Sequence, residues 1–209
     1  MKAEEIGDVS MEKMLFTEVL QHKAELRRID RDVDTEAYNK IKLNTLALAI
    51  RQMEMANCPK PVPGETSHGF VPLPCRTFID ILIEGFIALG QTTGKKFLEV
   101  GCGIGTKILL ANAFFDAHGI EIEDRNIALA RILGAETASK ADCLTYDRYG
   151  EYDFLYFFRP IIEPQKESEF EHRIHDQMKP GAVIAPIYTE LDWGEFEDMT
   201  KLGWIYQKS

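Results

Sequence analysis

Apolar positions along this chain change their period twice, and each change marks a boundary. From about Met11 to Asn57 there is neither proline nor glycine, and apolar residues recur at helical spacing. Met14, Leu15, Val19 and Leu20 form one stripe; Ile41, Leu46, Ala49, Ile50 and Met53 form another. Between them RDVDTEAYN offers Asp34 or Thr35 as a helix cap. The pattern predicts two helices in an antiparallel hairpin, with stripes that pack on the main domain or on a second subunit. Residues 58–74, CPKPVPGETSHGFVPLP, hold five prolines and two glycines. Proline lacks the amide donor and fixes its own φ, so this stretch is neither helix nor central strand but a linker or a lid.

Beyond it the period becomes that of an α/β domain. CRTFIDILIEGFIALG has Phe78, Ile81, Leu82, Phe86 and Leu89 at helical spacing and ends near Gly90. After Gly94, strand and helix alternate: KFLEV, then TKILLANAFF; HGIEI, then EDRNIALARILG with Gly134 as a stop; ETASKAD as a short third strand; YDFLYFF, then EPQKESEFEHRIHDQM; and PGAVIAPI as a fifth strand. Continuous apolar strands alternating with amphipathic helices predict a mostly parallel sheet covered on both faces. The remaining YTELDWGEFEDMTKLGWIYQKS has room only for a short hairpin, with GWIYQK its clearer strand. The organisation expected is a helical extension over 1–57, a linker or lid over 58–74, and the α/β domain over 75–209.

Charge and cysteine usage narrow the ligand class. The formal charge is −10, with 34 acidic residues against 24 Lys and Arg. An acidic surface repels phosphate backbones, and the densest basic cluster, Lys23 to Arg31, is interleaved with acids, so a nucleic-acid partner is disfavoured. Cys58, Cys75, Cys102 and Cys143 form no CxxC pair, which argues against zinc and against a disulfide framework. No apolar run approaches the ~18 residues a membrane helix needs, and MKAEEIGDVSMEKML has no signal-peptide core. The expectation is a cytoplasmic protein without a membrane segment.

The sharpest chemistry lies in KFLEVGCGIGTK. In an open α/β sheet the ligand lies across the carboxyl ends of the strands, and the first strand here runs into Glu99-Val-Gly101-Cys102-Gly103-Ile-Gly105. Glycines let the backbone turn sharply and approach a ligand closely. A P-loop is excluded because GxxxxGK[ST] is missing. The dinucleotide fingerprint GxGxxG fails because Thr106 stands at its last position and the glycines recur at every second residue. Glu99, two residues ahead of the first glycine, would repel a pyrophosphate and favour a ligand bearing ammonium or sulfonium charge.

EVGCGIG resembles the first motif of the class I, Rossmann-like S-adenosylmethionine-dependent methyltransferases: an acid, any residue, then Gly-x-Gly-x-Gly. The resemblance covers about residues 70–187. It implies that Glu121, in HGIEIE, holds the ribose hydroxyls with Ile122 against adenine. It likewise implies that Asp142, in KADCLTYD, bonds the adenine amino group beside Cys143 and Leu144. The three acids are 22 and 21 positions apart, one βα unit each. The implied cofactor is S-adenosyl-L-methionine, with Glu99, Gly101, Cys102, Gly103, Gly105, Glu121, Ile122, Asp142, Cys143 and Phe158 as contacts, and a small molecule or a protein as methyl acceptor. A catalytically silent binding or scaffold protein that keeps the cofactor pocket is the alternative, and a nicotinamide-dependent oxidoreductase comes third.

Methyl transfer from a sulfonium needs positioning more than acid–base chemistry, and the chain shows no catalytic triad. After the fourth strand, where enzymes of this resemblance that methylate exocyclic or amide nitrogens carry Asn or Asp before Pro-Pro-aromatic, stands Phe157-Phe158-Arg159-Pro160-Ile161. Arg159 either binds an anionic group of the acceptor or pairs with an acid such as Glu163. Tyr156 and Phe158 read first as strand core. His68, in the proline-rich stretch, is the histidine to consider as a base, and Phe70 beside it as a cover for the cofactor. His118 reads as structural at the start of the second strand. His172 and His175, three apart on one helix, read as a solvated face and not as a metal site. No metal is expected, and the N-terminal helices are the expected contact of any homo-oligomer.

Overall fold

The computed structural model describes residues 47–52, 56, 75–92 and 94–209. The chain divides into two compact units, Met1–Ala49 and Ile50–Ser209, and the second carries the architecture below. The expected helical hairpin up to Asn57, apart from a helical stretch at 47–52, and the expected linker or lid at 58–74 lie outside the described residues.

The elements follow one another as helix α1 (Cys75–Ala88), strand β1 (Lys96–Val100), helix α2 (Thr106–Ala111), strand β2 (Asp116–Glu121) and helix α3 (Asp124–Ile132). Then come strands β3 (Ala138–Lys140) and β4 (Phe154–Phe158), helix α4 (Pro164–Gln177), strand β5 (Val183–Ile187), and the hairpin β6 (Met199–Leu202) and β7 (Ile205–Lys208). They build one seven-stranded sheet in the order β3-β2-β1-β4-β5-β7-β6. The first five strands pair in parallel, while β7 runs antiparallel between β5 and β6. This is the α/β, Rossmann-like, mostly parallel sheet that the alternating pattern predicts. Because β1 pairs with β2 on one side and β4 on the other, the strand order reverses beside β1, and the crevice of an open sheet opens there at the carboxyl ends.

The two faces are filled by alternate residues of the same strands, since successive side chains of a strand point to opposite sides. Phe97, Phe154 and Tyr156 face α1, where Phe78 meets Tyr156 at 4.9 Å and Phe97 at 6.2 Å between ring centroids. Leu98, Leu155 and Phe157 face the opposite way, into the cluster that holds Phe170 and Ile174 of α4, with Phe157 and Phe170 at 5.0 Å. Burial on both faces is why these strands read as continuous apolar runs.

Three elements differ from the sequence pattern. TKILLANAFF is helical only to Ala111, because Asn112 caps it and its Oδ1 then accepts the Ala117 amide at 3.2 Å, turning the chain into β2. β2 therefore begins at Asp116, and His118 lies inside it, 3.2 Å from Asp116 Oδ1. In the terminal hairpin MTKL pairs as fully as IYQK.

Candidate functional site

The glycine turn is built by three residues with left-handed backbone: Gly101 (φ 73), Gly103 (φ 53) and Gly105 (φ 74). Amides of Gly101 and Cys102 both donate to Ile120 O, at 2.9 and 3.0 Å, which ties the turn to the end of β2. A Cβ at Gly105 would sit 2.6 Å from Ala135 Cβ, and one at Gly101 would reach 3.0 Å from Pro160 Cβ. The first contact fixes how tightly the turn packs against the chain beyond α3. The second brings the segment after β4 directly against the turn.

Glu121 ends β2 and is the brace of this turn. Its Oε2 accepts the Gly103 amide at 2.8 Å, and its Oε1 accepts the amides of Ile122 and Glu123 at 2.8 and 2.9 Å. A carboxylate offers about four acceptor positions, so roughly one is left, on the oxygen facing the glycine turn. Ile122 follows with 43% of its surface exposed, an apolar face beside the brace. The Ala141 amide donates to Glu121 O at 3.0 Å, so the loop after β3 is joined to the end of β2. In that loop Asp142 is half-buried; its Oδ1 accepts the Leu144 amide at 2.9 Å, and its carbonyl accepts from Thr145 and Tyr146. Glu99, Glu121 and Asp142 thus stand at the carboxyl ends of β1, β2 and β3, three adjacent strands.

Glu99 departs from the sequence argument in one respect. It is buried, and Lys107 Nζ of α2, buried as well, lies 3.6 Å from its Oε1. The negative charge expected to face a cationic ligand is countered from within the fold. Both ions give up hydration, which is costly unless they stay together. Lys107 passed unremarked in the sequence because TKILLANAFF reads as an apolar helix. Its signal was a cation two residues past the last glycine, opposite an acid two residues before the first.

Neither Cys102 nor Cys143 is poised as a nucleophile. Burial pushes the Cys102 thiol well up, with the charges of Glu99 and Glu121 adding to it. Burial pushes the Cys143 thiol up to about 12, with Asp142 next in effect. Both are protonated thiols at neutral pH.

On the other side of the reversal, Tyr156 is fully buried against Phe78. Phe158 is half-buried and meets Tyr188 edge-on at 5.1 Å. Arg159 has positive φ (36) and pairs with Glu190 at 2.8 Å. The anticipated partner Glu163 instead holds Lys166 at 2.7 Å. His68 and Phe70 lie outside the described residues. His175 is not on a solvated face. Its Nε2 lies 2.7 Å from Asp198 Oδ1 and its ring stacks on Phe196 at 3.9 Å, so it clamps the segment before β6. His172 is exposed. Among the described residues no group of three or more His, Cys, Asp or Glu could hold a metal ion, and no helix is long and apolar enough to cross a membrane.

Two further acids were hidden in EPQKESEFEHRIHDQM. Glu167 and Glu171, one helical turn apart on α4, are both fully buried. Glu167 Oε2 accepts the Ile161 amide at 3.0 Å, holding the loop after β4. Glu171 accepts the amides of Glu190 (2.7 Å) and Leu191 (3.3 Å) and the indole Nε1–H of Trp193 (2.8 Å), holding the loop after β5. Burial raises both carboxyls, Glu167 to about 8. The sequence reads this helix as polar-faced because each acid looks solvated until the loops above it are known.

No protein-family model matches the chain, and no curated protein sequence does. Solved structures that it resembles include a SAM-bound amino pentose methyltransferase from Micromonospora echinaspora, at 19% identity and TM-score 0.47, over 53% of this chain and 49% of that one. An RNA methyltransferase from Salinibacter ruber in complex with S-adenosyl-L-homocysteine aligns at 18% identity and TM-score 0.48, over 66% and 92%. Magnesium protoporphyrin IX methyltransferase from Synechocystis PCC 6803, with bound SAH, aligns at 18% identity and TM-score 0.45, over 57% and 61%. The matched region spans about half the length of the first of these. Likeness at this level assigns no residue, so the chemistry rests on the geometry of the turn and its acids.

Proposed function

We propose that the chain is an S-adenosylmethionine-dependent methyltransferase of the class I type, acting on a small-molecule or protein acceptor, with residues 75–209 as its cofactor-binding domain. The observation that carries this reading is the placement of Glu121. It sits at the carboxyl end of the strand beside the glycine turn, with one acceptor position left toward that turn. A ribose hydroxyl is a donor that such a position suits. The surroundings fit the same group: an exposed Gly101 backbone, the apolar face of Ile122, and Asp142 in the adjoining loop.

In this reading Glu121 and the Gly101–Gly105 turn hold the nucleoside sugar, while Ile122, Asp142 and Cys143 bound its base. Glu99 and Lys107, flanking the turn in sequence, form a buried ion pair that anchors the start of α2 to the end of β1. Phe158, at the end of β4, is the remaining cofactor contact of this reading and meets Tyr188 edge-on. The bound cofactor supplies an electrophilic methyl group on a sulfonium centre with a good leaving group. The chain's own share is orientation and exclusion of water, which can contribute about 7–11 kcal/mol. Neither thiol is poised as a nucleophile, in keeping with direct transfer to the acceptor.

Calorimetric titration of the full chain with S-adenosylhomocysteine tests the proposal, and transfer of labelled methyl groups to components of a lysate tests the activity. The absence of any heat with either S-adenosylhomocysteine or S-adenosylmethionine would overturn the cofactor assignment. Binding without transfer would overturn the enzymatic one.

A further inference from the structure

Three described residues other than glycine have positive φ, and two of them are neighbours. Arg159 follows β4 directly, and Tyr188 (φ 56) follows β5 directly, on strands in register at Phe158 and Ile187. The Arg159 amide donates to Ile187 O at 3.2 Å. A left-handed backbone is unfavourable for a bulky aromatic residue and persists only where the surroundings impose it. Here they do. Fully buried Glu171 accepts three donors from the segment just beyond Tyr188, and Thr189 Oγ1 donates to Leu191 O at 2.8 Å. A carboxyl group is taken out of water to fix a short surface loop, which is an expensive arrangement for a connection alone.

What this loop presents is an aromatic ring. Tyr188 is 68% exposed, against a fully buried Trp193 five residues on, and touches Phe158 only edge-on. A T-shaped contact covers at most one face of a ring, and at this exposure the other face of Tyr188 is open. The charges beside it cancel, because Arg159 is held by Glu190. The feature left to recognise a ligand is therefore a flat π-face. Phe158, which Tyr188 meets, ends the strand that leads into Pro160, and Pro160 abuts Gly101 of the glycine turn.

We infer that Tyr188 is the acceptor platform of this site, and that the acceptor is a planar, ring-bearing small molecule that stacks on it. The assignment of this molecule as methyl acceptor rests on the methyltransferase reading; its binding to Tyr188 does not. Rings stack on tyrosine in offset or edge-on arrangements with a preference that aliphatic groups of equal size lack. Glu171 is then a positioning residue that acts through the loop.

The test uses the full chain saturated with S-adenosylhomocysteine and reads saturation-transfer NMR with indole, quinoline and catechol, against cyclohexanol as the non-planar control. The expected result is transfer to the ring probes and none to the control. Tyr188→Phe should retain it, and Tyr188→Ala should weaken the ring probes by about tenfold. Tyr188→Asn is the decisive variant. Asparagine tolerates left-handed backbone, so its thermal midpoint should not fall, yet ring binding should weaken by about the same tenfold as in Tyr188→Ala. Equal transfer to rings and cyclohexanol would overturn the inference, as would ring binding undiminished in Tyr188→Asn. Titration of S-adenosylhomocysteine on the same protein separates the two readings. Cofactor binding without ring binding defeats the platform alone, and ring binding without cofactor binding defeats the methyltransferase assignment alone.

Discussion

Replacing Glu121 by alanine separates two roles that one carboxylate holds at once. In the fold, Glu121 satisfies the amides of Gly103, Ile122 and Glu123. The Ile122 and Glu123 amides are part-buried, and water can take over as their acceptor. The Gly103 amide is buried, and leaving it without a partner costs about 1–3 kcal/mol. In a protein of this size each kcal/mol lowers the unfolding midpoint by about 2–4 °C, so Glu121→Ala should lower it by about 2–12 °C. In binding, the one remaining acceptor position is worth a single bond to a charged group, about 1.5–3 kcal/mol, which weakens S-adenosylhomocysteine about 10- to 150-fold.

Scanning calorimetry reads the first effect, and isothermal titration well below the variant's midpoint reads the second. The two must appear together if Glu121 both braces the turn and meets the ligand. A lower midpoint with an unchanged dissociation constant would refute the ribose contact and leave the brace. An unchanged midpoint would refute the hydrogen bonds themselves. Glu121→Gln is not a gentle control, because its amide turns a second donor toward either Gly103 N–H or the Ile122 and Glu123 amides.

Three further outcomes follow from the same geometry. Gly105→Ala places a methyl 2.6 Å from Ala135 Cβ at a φ of 74, and urea denaturation should show a loss of at least about 1–3 kcal/mol from the backbone conformation alone. Burial, opposed by the Ile161 amide and reinforced by Glu171, raises Glu167 from 4.5 to about 8. The folded chain therefore holds a proton that the unfolded chain has released between those values, and stability falls as pH rises through that window. Glu167→Gln carries no titrating proton, so its urea midpoint should lose this part of the slope; a slope equal to that of the parent would refute the assignment. His175→Ala removes both the Asp198 bond and the stack on Phe196. It should raise the Asp198 pKa, which the His175 bond holds low, as NMR titration of the Asp198 carboxyl can follow.

The fold was legible because its signal is repeated. Each of β1, β4 and β5 is apolar on both faces, and each helix between them carries a stripe, so the parallel sheet is stated several times over in the sequence. Where a single polar residue decides an ending, the pattern misleads. Asn112 stops α2 and starts β2, although LLANAFF reads as an uninterrupted helix. The glycine turn was legible for another reason: Gly101, Gly103 and Gly105 all need left-handed backbone, and glycine is the residue that adopts it at least cost.

Charge inside the fold is what the sequence conceals. Lys107, Glu167 and Glu171 lie on helix faces where a lysine or glutamate normally meets solvent, and nothing in their neighbours along the chain says otherwise. Each is buried by a segment that arrives from elsewhere: the end of β1 over Lys107, the loop after β4 over Glu167, the loop after β5 over Glu171. Glu167 and Glu171 hold the loops at the carboxyl ends of β4 and β5, and the two share a cause. Loops at the carboxyl ends of a sheet carry amides that no ladder satisfies. A carboxylate from the helix beneath can accept two or three of them at once, so an interior acid is the compact way to hold an irregular loop. Tyr188 is concealed in the sequence by the same buried acid. Its strained backbone and open ring are consequences of what Glu171 holds, so neither is visible until Glu171 is known to be buried.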